Sequence, residues 1–450
     1  MSPQIQITFP GRVGGRDQHG FLRFFSTLLE GSDELTRRAW WVCFVLLTGW
    51  LLASCSGSSK ASPPRTPLHS PTATAQFRSS VSPAVVTPSQ KTPLRWGFNP
   101  RELTNIPDRL PRYLALPPGY RIETYALGLQ QPTGIAFTPD GRMLVLEQPG
   151  TVRLVEDGTL RPQPYFVADA YMPEADAIIE LGLVGITVDP GFARNGYIYI
   201  YYTTEHPKRR TVVARIRDAG DHATFQQEVL SLDADPRCCH ISGSMRFAPD
   251  GTLFVAVGDH EREADAQDLG SPFGKILHIN KDGSPAAGNP FAEDDDADPR
   301  VYAYGLRNPF DFAVHPTQQR IFATENGFAG QDAVVEIKPG ANYGWPGYDL
   351  VAPLDEIEQP LLFYNEPIGP SGMELYLSET LPDLTGALLF CQFHRGGALH
   401  AVTFDILGEV AEDTIIATGC TSDVLTGPDG FIYFLDYVSG TVYRIAAGRG

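Results

Sequence analysis

From about residue 130 to its end the chain repeats one unit: a polar turn, then short runs in which apolar residues alternate with polar ones. FTPDGRMLVLEQPGTVRLVEDG is the first such unit. VDPGFARNGYIYIYYTTE with VVARIRD, FAPDGTLFVAVGD with GKILHINKDG, VHPTQQRIFATENG with AVVEIKPG, and GPDGFIYFLDYVSGTVYRI follow in order. A Pro-Asp-Gly-type turn before an alternating run is the signature of a hairpin strand with one face buried. The first four units are spaced by roughly 50 to 65 residues, near the length of a four-stranded propeller blade with insertions. No stretch sustains a helical period. The pattern therefore predicts an all-β propeller, of which five units can be delimited directly. A β-sandwich would need the same strands but not this repeated unit.

Composition adds limits rather than detail. With 42% hydrophobic and 11% aromatic residues among 450, there is material for a large core. Acidic residues outnumber basic ones 53 to 35, a formal charge of −18, and the globular part has no Lys/Arg cluster. Nucleic acid is excluded as an expected partner on that ground, and the acidic surface suits solubility.

The N-terminal part carries address information. Arg37 and Arg38 precede an apolar run from Ala39 to Leu52, too short to span a bilayer but suited to the apolar region of a signal peptide. The run ends in Leu52-Ala53-Ser54-Cys55, which resembles a bacterial lipobox; the resemblance implies cleavage before Cys55 and its lipidation. Acyl chains contributing ~0.8 kcal/mol per buried methylene would make a stable membrane anchor. The alternative is an ordinary signal peptide with an incidental cysteine. Residues 56–95, rich in Ser, Thr, Pro and Ala, read as a disordered tether. The expected organisation is a leader and lipoprotein signal peptide over 1–55, the tether over 56–95, and a single propeller domain over 96–450. The expected location is extracytoplasmic, periplasmic or at the cell surface.

Between Cys238 and Pro346, CCHISGSMRFAPDGTLFVAVGD, GKILHINKDG, GLRNPFDFAVHP, ENGFAGQD and NYGWP follow one another in order. Together with GLVGITVDPGFARNGYIYIYYT (Gly182–Thr203), this order resembles the soluble glucose/sorbosone dehydrogenases, over roughly Leu114 to Ile445. The resemblance implies a six-bladed β-propeller of four-stranded antiparallel blades. It further implies oxidation of an aldose sugar to its lactone with pyrroloquinoline quinone (PQQ) and calcium, electrons passing to an unknown acceptor.

The same resemblance assigns residues. Oxidation at the sugar C1 needs a base for the hydroxyl proton while hydride departs, and an imidazole, with an ordinary pKa of about 6.5, suits that task at neutral pH. His240 stands at the family's base position, although a lone histidine is more often structural. Arg307 and Asn308 match the Arg-Asn pair that contacts PQQ, a planar cation beside the oxygen that gains charge. Glu180 falls at a position touching sugar and cofactor. Calcium would be held by the main-chain carbonyls of Gly327 and Phe328, with Asp332 as the acid; Phe328 replaces the usual Pro, and Ala333 replaces a Glu. His394, standing where a lysine is expected, and Arg395 after it are assigned to cofactor binding, with Arg395 as a cation. Cys420-Thr421-Ser422-Asp423 replaces the family's RxRD, so both arginines are missing. A tricarboxylate such as PQQ needs cationic partners when desolvated, and these losses favour a second reading: a non-catalytic propeller kept as a binding module, as in the similar propeller of Hedgehog-interacting protein. A third reading rests on Cys238, Cys239, Cys391 and Cys420, which the resemblance gathers on one face. An even set reads first as disulfides; a metal site with His240 or His394, in a hydrolase or metal-binding propeller, and free buried thiols stand beside that. The acidic run Glu293–Pro299 is read as solvated, with calcium as its sharper alternative.

Overall fold

A computed structural model describes residues 116–173, 180–233, 235–328, 331–347 and 356–448. The chain divides into units Met1–Lys91 and Thr92–Gly450, and every described residue belongs to the second. The leader, Cys55 and the tether lie outside the described residues.

Six antiparallel sheets succeed one another along the chain. Their innermost strands are Pro132–Phe137, Leu183–Val188, Ser242–Phe247, Pro309–Val314, Pro370–Leu375 and Val424–Thr426, in blades 1 to 6. Each is followed by a hairpin partner and then by outer strands. The first sheet carries one extra short strand, Phe166–Val167. The last sheet is completed by the N-terminal strand Tyr120–Ala126, which pairs with Thr441–Ala447 in the register Ile122 opposite Ile445. This pairing closes the ring by strand exchange between the two ends of the domain, so the last delimited unit, GPDGFIYFLDYVSGTVYRI, belongs to a blade built from both ends; the blade implied by the resemblance but not delimited in the pattern is the fifth, whose strands run from Pro370 to Thr418.

The second strand of each blade departs from simple alternation. Met143–Glu147, Leu253–Val257, Ile321–Glu325 and Leu388–Gln392 are buried at every position. The cause is that a blade packs between two neighbours, so both faces of its sheet are covered and both demand apolar residues. Leu144 and Leu146 join the cluster shared with blade 2, whereas Met143 and Val145 join the one shared with blade 6. One such cluster lies at each of the six blade interfaces. The Pro-Asp-Gly turns join inner to second strands: Gly141 and Gly251 sit at φ +90° and +87°, and Ala248 N–H donates to Thr252 O at 2.9 Å.

This hairpin geometry determines where chemistry can gather. In an antiparallel pair the start of the first strand lies beside the end of the second, so those two positions from all six blades share one rim of the ring. Residues just before inner strands include Gln131, Glu180, His240, Arg307, Asn308, Gly369 and Ser422; those ending or following second strands include Gln148, Asp259, Glu325, His394 and Tyr437.

Candidate active site

His240 precedes the inner strand of blade 3, and its side chain is 15% exposed. Its Nδ1 lies 2.7 Å from Asp259 Oδ1. Asp259, just beyond the second strand of the same blade, is fully buried. The same Oδ1 accepts the Glu261 N–H at 2.8 Å, and Oδ2 accepts Trp345 Nε1–H at 2.8 Å. Burial works against the Asp259 charge, but the bonds from His240, the Glu261 N–H and Trp345 outweigh it and hold the carboxyl below its ordinary range. An ionised carboxylate only accepts, so Nδ1 of neutral His240 carries the proton and Nε2 keeps its lone pair. This is the arrangement of an oriented general base. Neighbouring His260 is a poor competitor: it is buried against Phe273, and that burial pushes its imidazole down to about 4.

Glu180 ties the base loop to blade 4. Its Oε2 accepts the Ile241 N–H at 3.0 Å, and Asn308 Nδ2 donates to both its oxygens at 3.2 and 3.1 Å. Asn308 Oδ1 accepts Ser242 Oγ–H at 2.9 Å. Arg307 is buried, with its guanidinium 5.4 Å from the Trp345 ring and Nη1 donating to Asn326 O and Gly327 O. Trp345 thus touches both the carboxylate that orients the base and the arginine, a role that the NYGWP segment did not reveal in the sequence. His240, Glu180, Arg307 and Asn308, scattered over 129 positions (180 to 308), lie within one hydrogen-bonded network.

The family model for "Glucose / Sorbosone dehydrogenase" matches residues 129–444. The chain belongs to that family. An uncharacterized protein of Synechocystis is 33% identical over 348 residues, covering 71% of this chain and 84% of its own. An aldose sugar dehydrogenase of Escherichia coli is 28% identical over 362 residues, 74% and 94% of the two chains. The solved soluble aldose sugar dehydrogenase of Escherichia coli, in its apo form, superposes with a TM-score of 0.65 at 26% identity, over 73% of this chain and 99% of that one. A quinoprotein glucose dehydrogenase of Acinetobacter calcoaceticus is 26% identical over 246 residues, 48% and 50% of the two chains.

Within the family frame, the other expected residues distribute unevenly. Arg395 is directed to the surface, where its largely exposed guanidinium pairs with Glu366, so it does not supply the site with a cation as expected. His394 stays near the rim, but burial lowers its pKa, against the pull of Asp332, and keeps it neutral at neutral pH. Thr421 and Ser422 are buried and bonded to the scaffold, Ser422 Oγ to Pro132 O at 2.7 Å and Thr421 Oγ1 to the Tyr437 N–H at 2.7 Å. The four cysteines form two disulfides, Cys238–Cys239 and Cys391–Cys420, and no group of three or more His, Cys, Asp or Glu placed to hold a metal occurs among the described residues. The metal-site reading of the cysteines therefore gives way to disulfides.

The expected calcium ligands are engaged by protein donors. Gly327 O accepts Arg307 Nη1 at 3.1 Å, and Phe328 O accepts the Gln331 N–H at 3.2 Å. Asp332 is buried, with Oδ1 taking the Gly327 N–H and Oδ2 those of Ile368 and Gly369. It acts as a main-chain clamp between blades 4 and 5. In this arrangement the three do not make a calcium site, and no chemistry is routed through one. For PQQ the fit is divided: Arg307 and Asn308 beside His240 suit the quinone end, while Thr421, Ser422 and neutral His394 leave the carboxylate end without formal cations.

Glu325 is the other group that sequence reasoning passed over. It ends the second strand of blade 4, and its Oε1 accepts the N–H groups of Arg307 at 2.6 Å and Asn308 at 3.1 Å, which fixes that pair. Burial pushes its carboxyl up to about 8, against the lowering effect of these bonds and of Arg307. The unfolded chain gives up this proton near 4.5, whereas the folded protein keeps it to about 8. Across that window the folded state binds more protons, so stability should fall as pH rises. Glu325→Gln, an isostere of the protonated acid, should flatten the fall; urea midpoints of wild type and variant at both ends of the window measure it.

Proposed function

We propose that this protein oxidises an aldose sugar at C1 to its lactone, with PQQ as bound cofactor and His240 as general base. The observation that carries the reading is the Asp259–His240 pair set beside Arg307 and Asn308 on one rim of a propeller of this family. The sugar-dehydrogenase names of the relatives support the substrate class, and the quinoprotein among them supports the cofactor.

His240 Nε2 takes the proton of the anomeric hydroxyl, and Asp259 stabilises the imidazolium that forms. As the C1–O bond gains double-bond character, the C1 hydrogen departs as hydride, so the sugar loses two electrons and two protons, one proton to His240 and the other with the electron pair as hydride. PQQ, when bound, supplies the hydride-accepting quinone. Arg307 would meet the oxygen that gains charge, and Asn308, held by Glu180 and Ser242, would orient the ring. With Arg395 turned outward and His394 neutral, the affinity for PQQ should be weaker than where the family's arginines and lysine remain, each charge-assisted bond being worth roughly 1.5 to 3 kcal/mol. Calorimetric titration of the purified protein with PQQ tests this, with and without calcium in separate arms. Binding that saturates at micromolar concentrations supports the reading. No binding in either arm would favour the propeller as a non-catalytic binding module.

The reading places the enzyme outside the cytoplasm, tethered through residues 56–95 to a lipid on Cys55. Cys55→Ser should move the protein from the membrane fraction to the soluble one. Retention of the variant in membranes would place the anchor elsewhere.

A further inference from the structure

The disulfide between Cys238 and Cys239 is adjacent in sequence and immediately precedes the base. A cross-link closing so short a loop removes almost no chain entropy from the unfolded state, so its effect is local rather than global. The local chain has something to hold. His240 sits at φ +58° and Ser242 at φ +56°, a left-handed conformation that non-glycine residues keep only where the surroundings over-determine it. Those surroundings are visible on both sides. Cys238 O accepts the Glu180 N–H at 3.0 Å, and Glu180 Oε2 accepts the Ile241 N–H at 3.0 Å, so one residue grips the segment before and after the histidine. His240 O accepts the His260 N–H at 3.2 Å, and a Cβ on Gly258 would lie 2.0 Å from that same oxygen. The base segment is thus bonded at 238, 240 and 241, with the disulfide bridging its entry.

We propose that the Cys238–Cys239 disulfide is a positioning element for His240: it holds the entry to the strained segment so that the imidazole stays on Asp259 with Nε2 toward the substrate. The role of His240 as base rests on the function proposed above; its positioning does not. Opening the bridge takes two electrons and two protons from a dithiol, which closes its own disulfide. The two bridges differ in access: Cys238 and Cys239 are partly exposed, whereas Cys391 and Cys420 are fully buried. Mild dithiol treatment should therefore open the first selectively, which alkylation and mass spectrometry verify.

The test follows the folded protein before and after that treatment. Hydrogen exchange at the Ile241 amide should quicken by about tenfold or more, and the C2–H resonance of His240 should shift, with or without PQQ. In the PQQ-loaded protein, kcat should fall by about tenfold while KM for the aldose changes less than about twofold, and reoxidation should restore it. The double variant Cys238→Ser with Cys239→Ser should show the lowered kcat without reductant and no further response to it. Unchanged exchange and an unchanged His240 resonance on reduction overturn the proposal, as does a double variant with wild-type kcat. If the variant does not fold, the treated wild type decides. Should PQQ support no turnover, the exchange and resonance arms still decide the positioning role, and that failure falls on the proposed function alone.

Discussion

Replacing His240 with glutamine is expected to lower turnover by about 10²-fold or more while leaving PQQ affinity nearly unchanged. Glutamine approximates the size of the imidazole and its amide can still donate to Asp259, so the rim should keep its shape. What it lacks is a basic nitrogen to take the anomeric proton. Steady-state dye-linked turnover and a calorimetric PQQ titration on the same preparation separate the two quantities. Wild-type turnover in the variant would remove His240 from the reaction, and a parallel loss of PQQ binding would make it a cofactor contact instead of a base.

The second large effect is expected from Asp259→Asn, again about 10²-fold or more in kcat. Three N–H donors, from His240, Glu261 and Trp345, converge on the two oxygens of this buried carboxylate. An amide offers one oxygen and an NH₂ group, so at least one donor must face another donor. If the amide NH₂ meets His240, it stabilises the tautomer with the proton on Nε2, which cannot act as a base. The misplaced bond should also cost roughly 1 to 3 kcal/mol of stability. In the wild type the carboxyl is held below its ordinary pKa, so its contribution to folding is present above that ordinary value and disappears only as pH falls through the lower, folded one. Kinetics and urea denaturation on Asp259→Asn read both effects. An unaltered kcat would show that the base does not depend on its partner.

Much of this was legible in the sequence, and what was not has physical causes. The repeated turn-strand units gave the propeller because a polar turn followed by a strand is a local signal. The fifth blade was hidden because its inner and second strands, Pro370–Leu375 and Leu388–Gln392, are joined through the short helical turn Pro382–Leu384 instead of a Pro-Asp-Gly turn, so the local signal is missing there. His240, Glu180, Arg307 and Asn308 could be named from motifs because each lies just before an inner strand, next to a recognisable pattern. Asp259 and Glu325 were passed over although they stand in the quoted VGD and ENG segments; their roles come from the ends of second strands, which meet the first group only once the hairpins fold. Arg395 misled because its position before a glycine pair fits the motif, while its local turn, with φ +60° at Arg395, directs the side chain to Glu366. Placing an arginine at Cys420 would not be a simple charge replacement, since that residue is fully buried and bridged to Cys391. The departures from the family at 420–422 are thus part of the scaffold between blades 5 and 6.

The most direct test of the account is dye reduction by the purified protein on addition of an aldose, measured before and after PQQ is supplied. The account predicts no turnover in the apo protein, aldose-dependent dye reduction with lactone formation once PQQ is present, and loss of that activity in His240→Gln. Saturated PQQ binding without any oxidation across a panel of aldoses would contradict it.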